Sequence, residues 1–316
     1  MKNKLVWGLV ALVLVCAVGA TLVLNWQNWF NPVSHSLENT ASGEPELDYG
    51  YGEEAYKVKY IIDGENVELN DEEFSFEKNE GIVFLVTNGG SLKLVGIKAE
   101  IAEGLANLVA VSDGGSFSLV DSEISFGEDV DGDAVFYMKD NTSKITIENS
   151  SISSDDSFSV PIAYGNGTVL FDNVTVSLSQ SSLAVLKDGA NITLNGGEYT
   201  IKWPFIQRPL QNLFVSSVAV FEDGNATFTA NNAKITQQYY SNVIEVGAKN
   251  VHAVFSTIGG NATINLNDTN VIIYSKDVKF AAAVNDGKIT FNNSNLEATR
   301  TDVEVGDGAS ITGLNS

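Results

Sequence analysis

Cysteine is almost absent from this 316-residue chain, with Cys16 the only one. No intrachain disulfide can form, and no cysteine-based metal site exists. Histidine is nearly as scarce: His35 lies in a polar stretch, and His252 is flanked by Val251, Ala253, Val254 and Phe255, which gives it a structural setting. A serine nucleophile needs such a base, and there is no His pair to hold a metal. The glycines stand singly or in pairs at turns, so no phosphate-cradling loop is present. Basic residues are few, 18 Lys and Arg against 40 Asp and Glu, for a formal net charge of −22. Phosphate backbones require basic patches. Nucleic acid is therefore excluded as a partner, anionic lipid surfaces are disfavoured, and the surface suits salt or divalent cations. Carboxylates are plentiful enough for paired-acid glycoside hydrolysis, yet nothing singles out a pair.

What the chain does have is a repeat. An apolar residue, another two positions on and a third five positions later recur eight times, usually after a Gly-containing turn. The copies are Leu92/Leu94/Ala99, Phe117/Leu119/Ile124, Ile145/Ile147/Ile152, Val169/Phe171/Val176, Ile192/Leu194/Tyr199, Phe228/Ala230/Ile235, Ile264/Leu266/Val271 and Ile289/Phe291/Leu296. A clipped copy, Ile311 with Leu314, follows. The first residues are spaced 25, 28, 24, 23, 36, 36, 25 and 22 apart. Between the second and third apolar positions lie bend residues that tolerate the left-handed conformation: Asp121-Ser122, Asn149-Ser150, Asp172-Asn173, Gly196-Gly197, Asn231-Asn232, Asn267-Asp268 and Asn292-Asn293. A second apolar run precedes each Gly turn, as in Val83 to Val86 before Asn88-Gly89-Gly90. Each repeat therefore reads strand, turn, strand, turn, strand, loop. A β-sandwich also shows evenly spaced strands, but it needs neither a repeated three-strand phrase nor a bend at a fixed offset. The expected fold is all-β: a single-stranded right-handed parallel β-helix, a solenoid of about nine to ten coils in which stacking buries what one coil cannot.

At the other end, Met1-Lys2-Asn3-Lys4 precedes an apolar run from Leu5 to Leu24. Twenty helical residues span about 30 Å, the thickness of the hydrocarbon layer. Two lysines before the run orient the remainder outside, and Trp7, Trp26 and Trp29 sit where an interface belt belongs. The expectation is an N-terminal hydrophobic helix retained as a membrane anchor through residues 5–24. The alternative is secretion after cleavage near Ala20, since Val18-Gly19-Ala20 is an acceptable cleavage site. A lipoprotein at Cys16 is disfavoured by Val15 before it. The chain then divides into an anchor or signal segment (1–30), a flexible stalk (31–55) containing Pro32, Pro45 and Tyr49-Gly50-Tyr51-Gly52, and the β-helix domain (56–316).

Stacking brings distant residues onto one flank, because equivalent loops lie about 4.8 Å apart. Two groups follow. Glu128, Asp129, Asp131 and Asp133 come after the third strand of one coil, and Asp155 and Asp156 after that of the next. Their mutual repulsion would be relieved by a hard cation with oxygen ligands, so a Ca²⁺ site is expected there. The second group is aromatic. A long spacing inserts Trp203, Phe205 and Arg208, and one coil later come Gln237-Gln238-Tyr239-Tyr240, together a ledge for sugar stacking or protein contact. Nine Asn-x-Ser/Thr sequons (Asn141, Asn149, Asn166, Asn173, Asn191, Asn225, Asn261, Asn267 and Asn292) mostly fall at turn or bend offsets and read as products of the repeat. The clipped copy would leave an open end, a place for end-to-end self-association.

The phrases Asn88-Gly89-Gly90-Ser91-Leu92-x-Leu94, Asp188-Gly189-Ala190-Asn191-Ile192-Thr193-Leu194 and Gly260-Asn261-Ala262-Thr263-Ile264-Asn265-Leu266 resemble right-handed β-helix repeats of adhesin-like and pectate-lyase-like surface proteins. The lyases typically use a basic residue near bound calcium; the only arginines here, Arg208 and Arg300, adjoin no acidic cluster in the sequence. The resemblance implies an extracytoplasmic, cell-surface binding protein of adhesin type, with glycans or proteins as partners. The alternatives are a carbohydrate-active enzyme (polysaccharide lyase or glycoside hydrolase) and a structural surface protein without a dedicated ligand.

Overall fold

The computed structural model describes residues 58–75, 82–103, 107–129, 134–154, 160–179, 181–203, 217–222, 224–239, 253–257, 261–274, 279–284, 287–298, 303–305 and 310–313, and no helix occurs among them. The anchor and the stalk expected over residues 1–55 lie outside the described residues. The described strands assemble into three parallel sheets of ten, ten and nine strands. The first sheet runs from Val58–Asp63 to Val303–Val305, the second from Asn66–Asn70 to Ser310–Thr312, and the third from Glu73–Ser75 to Asn295–Ala298. Successive strands of the chain visit the three sheets in turn, so each strand pairs with its equivalent one coil away. This is a parallel β-solenoid of the right-handed type.

The repeat registers residue for residue. Phe117, Ile145, Val169, Ile192, Phe228, Ile264 and Ile289 form one inward column of the second sheet, and Ile311 continues its register. Ile124, Ile152, Val176, Tyr199, Ile235, Val271 and Leu296 form the matching column of the third. The two 36-residue spacings leave these columns undisturbed. Their extra residues fall between third-sheet and first-sheet strands, after Trp203 and after Tyr239. The core is largely apolar: Phe84, Phe136, Phe171, Phe221, Phe228 and Phe255 are fully buried. Rings meet across sheets, as in Phe228–Phe255 at 5.0 Å and Phe117–Phe136 at 5.5 Å between centroids. Such pairs add about 0.5–1.5 kcal/mol each beyond the area they bury.

The first sheet differs from the other two. Leu85, Ala110, Tyr137, Tyr164, Val185 and Val220 occupy one column on the face turned away from the core, and all are buried. This explains why its strands read as continuous apolar runs, the pattern of a parallel strand covered on both faces.

Both corners are built from the turn chemistry of the sequence. Between first and second sheets, Asn88-Gly89 and Asp113-Gly114 have positive φ at both central positions, and the Gly90 and Gly115 amides donate to the Thr87 and Ser112 carbonyls at 2.9 and 2.8 Å. These are type I′ turns. One coil lacks the glycine. There the Asp140 carboxylate accepts hydrogen bonds from the amides of Thr142 (2.8 Å), Ser143 (3.1 Å) and, from the coil before, Asp113 (2.7 Å). Partial burial alone would raise its pKa, but these bonds and that from the Thr142 hydroxyl outweigh it and hold the carboxyl below the usual range.

Candidate functional site

The corner between second and third sheets carries a left-handed residue at the same place in nine described coils, Asp71, Gly96, Asp121, Asn149, Asn173, Gly196, Asn232, Asp268 and Asn293, with Gly197 a second one beside Gly196. The bend predicted at this offset is therefore present throughout. Their backbone amides form a ladder in which Asp121, Asn149 and Asn173 donate to the carbonyls of Glu148, Asp172 and Asn195 at 3.1, 2.9 and 2.8 Å. Where the next residue is Ser, its hydroxyl closes the bend. Ser122 Oγ accepts from the Ile97 amide and donates to the Val120 carbonyl, and Ser150 Oγ repeats this with the Ser122 amide and the Glu148 carbonyl.

A groove of about 500 Å³ follows this corner across four coils. One wall is the left-handed column Gly96, Asp121, Asn149 and Asn173. The other is the start of the third sheet, where Lys98, Glu123, Ser151 and Thr175 stack in register. Ser122 and Ser150 lie in the floor. The volume is in the range of small-molecule sites, but the lining is polar: two carboxylates, one ammonium, two amides and several hydroxyls. Asn173 Nδ2 donates to Asn149 Oδ1 at 3.0 Å, which fixes both amides. Such a surface can exchange hydrogen bonds with a polyhydroxylated ligand. The described residues supply no histidine and no paired nucleophile and base.

Under the same corner lies Tyr199, fully buried and edge-on to Phe171 at 6.1 Å. Its hydroxyl has no hydrogen-bond partner among the described residues. Burial, and secondarily the charge of Asp172, push its pKa well above the ordinary phenol value.

The aromatic residues expected to meet do so in part. Trp203 and Tyr239 end adjacent third-sheet strands and are register partners. Phe205, Arg208 and Tyr240 lie outside the described residues. Gln237, expected on the same ledge, is instead buried, because it falls in the register column of the buried Ile201 and Ile273. Among the acidic residues, Glu128 and Asp129 belong to the third-sheet strand Glu123–Asp129, where Asp129 pairs with Glu103 of the coil before. Asp131, Asp133, Asp155 and Asp156 lie outside the described residues. Among the described residues no three acidic or histidine side chains gather as a metal site.

Several sequon asparagines serve the stack itself: Asn261 Nδ2 donates to Asn225 Oδ1 at 3.1 Å and Asn292 Nδ2 to Asn267 Oδ1 at 2.7 Å. The groove was missed by residue-by-residue reading because it exists only when four coils are registered. Its one linear signal is the recurrence of Asp or Asn beside Ser at the bend. The chain matches no family model, no curated protein and no solved structure.

Proposed function

We propose that this chain is an extracytoplasmic surface-binding protein of the adhesin type. Its β-helix of nine to ten coils is held at the cytoplasmic membrane by residues 5–24 and presents its flank to glycans or proteins. The observation that carries the reading is the groove at the second corner. It is open, polar and neutral-to-acidic, and its amides and hydroxyls are held by backbone register rather than by flexible loops. A preorganised array loses little side-chain entropy on binding. Trp203 and Tyr239 are register partners one and two coils beyond the groove, and aromatic residues are what sugar rings stack on.

The test is a glycan and polysaccharide array probed with the full-length protein, with and without Ca²⁺, beside the Asn149→Ala and Trp203→Ala variants. The reading expects binding to a restricted set of glycans and a loss of about tenfold in affinity in at least one variant, the effect of about 1.4 kcal/mol. Release of reducing or unsaturated sugars would replace this reading with the carbohydrate-active enzyme. A silent array, together with no protein captured from target cell surfaces, would leave a structural surface protein.

A further inference from the structure

Part of the outer face of the second sheet is nearly free of charge in this acidic chain. Over the four successive strands Thr168–Asp172, Asn191–Asn195, Asn225–Asn231 and Asn261–Asn267 the only charged residue is Asp172, at the corner. The whole chain, Asp172 included, carries 58 charged side chains of Asp, Glu, Lys and Arg, from 40 acidic and 18 basic residues. Thr193 and Thr229 stack in register at the centre of this face and are half-buried only by their neighbours. Along one edge runs an amide ladder: Asn231 Nδ2 donates to Asn195 Oδ1 at 2.8 Å and Asn267 Nδ2 to Asn231 Oδ1 at 2.7 Å. Each ladder amide keeps one N–H and one lone pair for a partner outside. Hydroxyls and amides therefore repeat about every 4.8 Å along the stack and about every 6.6 Å along each strand.

We propose that this face is a docking surface for a neutral polysaccharide lying along the stack. It extends the surface-binding reading to a second face and shares no residue with the groove, so the two fail separately. Three features select the partner. The face has no cationic patch, so an acidic glycan or a nucleic acid gains nothing there and is repelled by the chain's net charge of −22. It has no carboxylate cluster for a cation. It lacks the Trp, Tyr and Arg anchors that centre protein interfaces. A neutral glycan instead offers alternating C–H and hydroxyl groups, which threonine methyls, threonine hydroxyls and fixed amides match in kind and in periodicity.

The experiment is co-sedimentation of the full-length protein with insoluble cellulose, chitin and xylan, with polygalacturonate as the acidic comparison. Thr229→Lys puts a long charged chain at the centre of the face; the fold accepts lysine in this column, since Lys93 occupies the equivalent position near one end. Thr200→Lys makes the same change on the third sheet. Asn231→Ala interrupts the ladder. Thr263→Lys replaces Thr229→Lys if the latter loses its cooperative melt. The expected result is retention of the parent protein and of Thr200→Lys by at least one neutral polysaccharide. Thr229→Lys and Asn231→Ala should lose it about tenfold. Retention by none of the three, retention by polygalacturonate alone, or unchanged retention of folded Thr229→Lys would each overturn the proposal. Loss of retention in Asn149→Ala alone would move the contact to the groove and overturn it as well.

Discussion

At the second corner the demands on single residues are unequal, and two adjacent glycines show it. Gly196 has φ +66° and open space where a side chain would go; Gly197 has φ +81°, and a β-carbon there would stand 2.2 Å from the Val174 carbonyl oxygen. Gly196→Asn should be close to neutral, because Asn fills the equivalent position at Asn149 and Asn173. Gly197→Ala carries the left-handed cost of about 1–2 kcal/mol and a backbone collision in addition. Thermal melts of the two variants check this, and equal melting temperatures would remove the argument. Tyr199 gives the second residue-scale expectation. A buried hydroxyl without a partner costs stability, so Tyr199→Phe should match or exceed the parent, by up to about 1 kcal/mol. The pH dependence has a definite sign. The folded chain holds the phenol proton beyond the pH at which the unfolded chain releases it, about 10. Stability contributed by this proton is complete below about pH 10 and declines as pH rises further. Tyr199→Phe should flatten that decline in a pH series of urea melts.

The element of this molecule is the coil, and register makes coils interchangeable. Thr168 pairs with Asn191, and Val169 with Ile192. Removing residues 168–190 and joining Gly167 to Asn191 would set Lys144–Glu148 directly beside Asn191–Asn195, and Ser151–Ser154 beside Glu198–Trp203. Nearest-neighbour stacking of this kind is nearly additive. The shortened chain should keep its β circular dichroism and a single cooperative melt, at a lower temperature. A dye-binding, non-cooperative product would show that coils are not independent units. The same register decides what was legible in the sequence. Strand positions and the left-handed bends at Asp121, Asn149, Gly196, Asn232 and Asp268 could be read directly, because one face must be apolar and at least one residue per bend must tolerate positive φ. Less legible were the strands Phe136–Met138 and Ala163–Gly165. In the first, Asp140 does the work of a glycine; in the second, both faces of the strand are covered, so no alternation marks it. The burial of Gln237 was hidden because a polar residue among buried ones breaks the pattern that locates the core. The groove was illegible for a different reason: Lys98, Asp121, Asn149 and Thr175 have nothing in common until four coils are superposed.

For the molecule as a whole, the stack presents unpaired strands at both limits of the described residues. Among the described residues, Val58–Asp63, Asn66–Asn70 and Glu73–Ser75 have partners on one side, as do Asn295–Ala298, Val303–Val305 and Ser310–Thr312. Unpaired parallel edges are templates for strand addition. End-to-end self-association is accordingly expected to appear in light scattering at high protein concentration, and to strengthen with added salt as the repulsion between chains of net charge −22 is screened. A mass that stays monomeric across both concentration and salt would rule it out.

The in-register column has one more consequence. Residues about 25 positions apart in the chain, such as Leu92 and Phe117, become neighbours in one file. Duplicating a coil therefore copies every side chain of its flank one strand spacing further on, facing the same way. Any weak contact made by one coil is multiplied on a fixed lattice, and simultaneous engagement raises avidity without improving a single contact. Selection on such a protein can act on the number of coils as readily as on the residues within them.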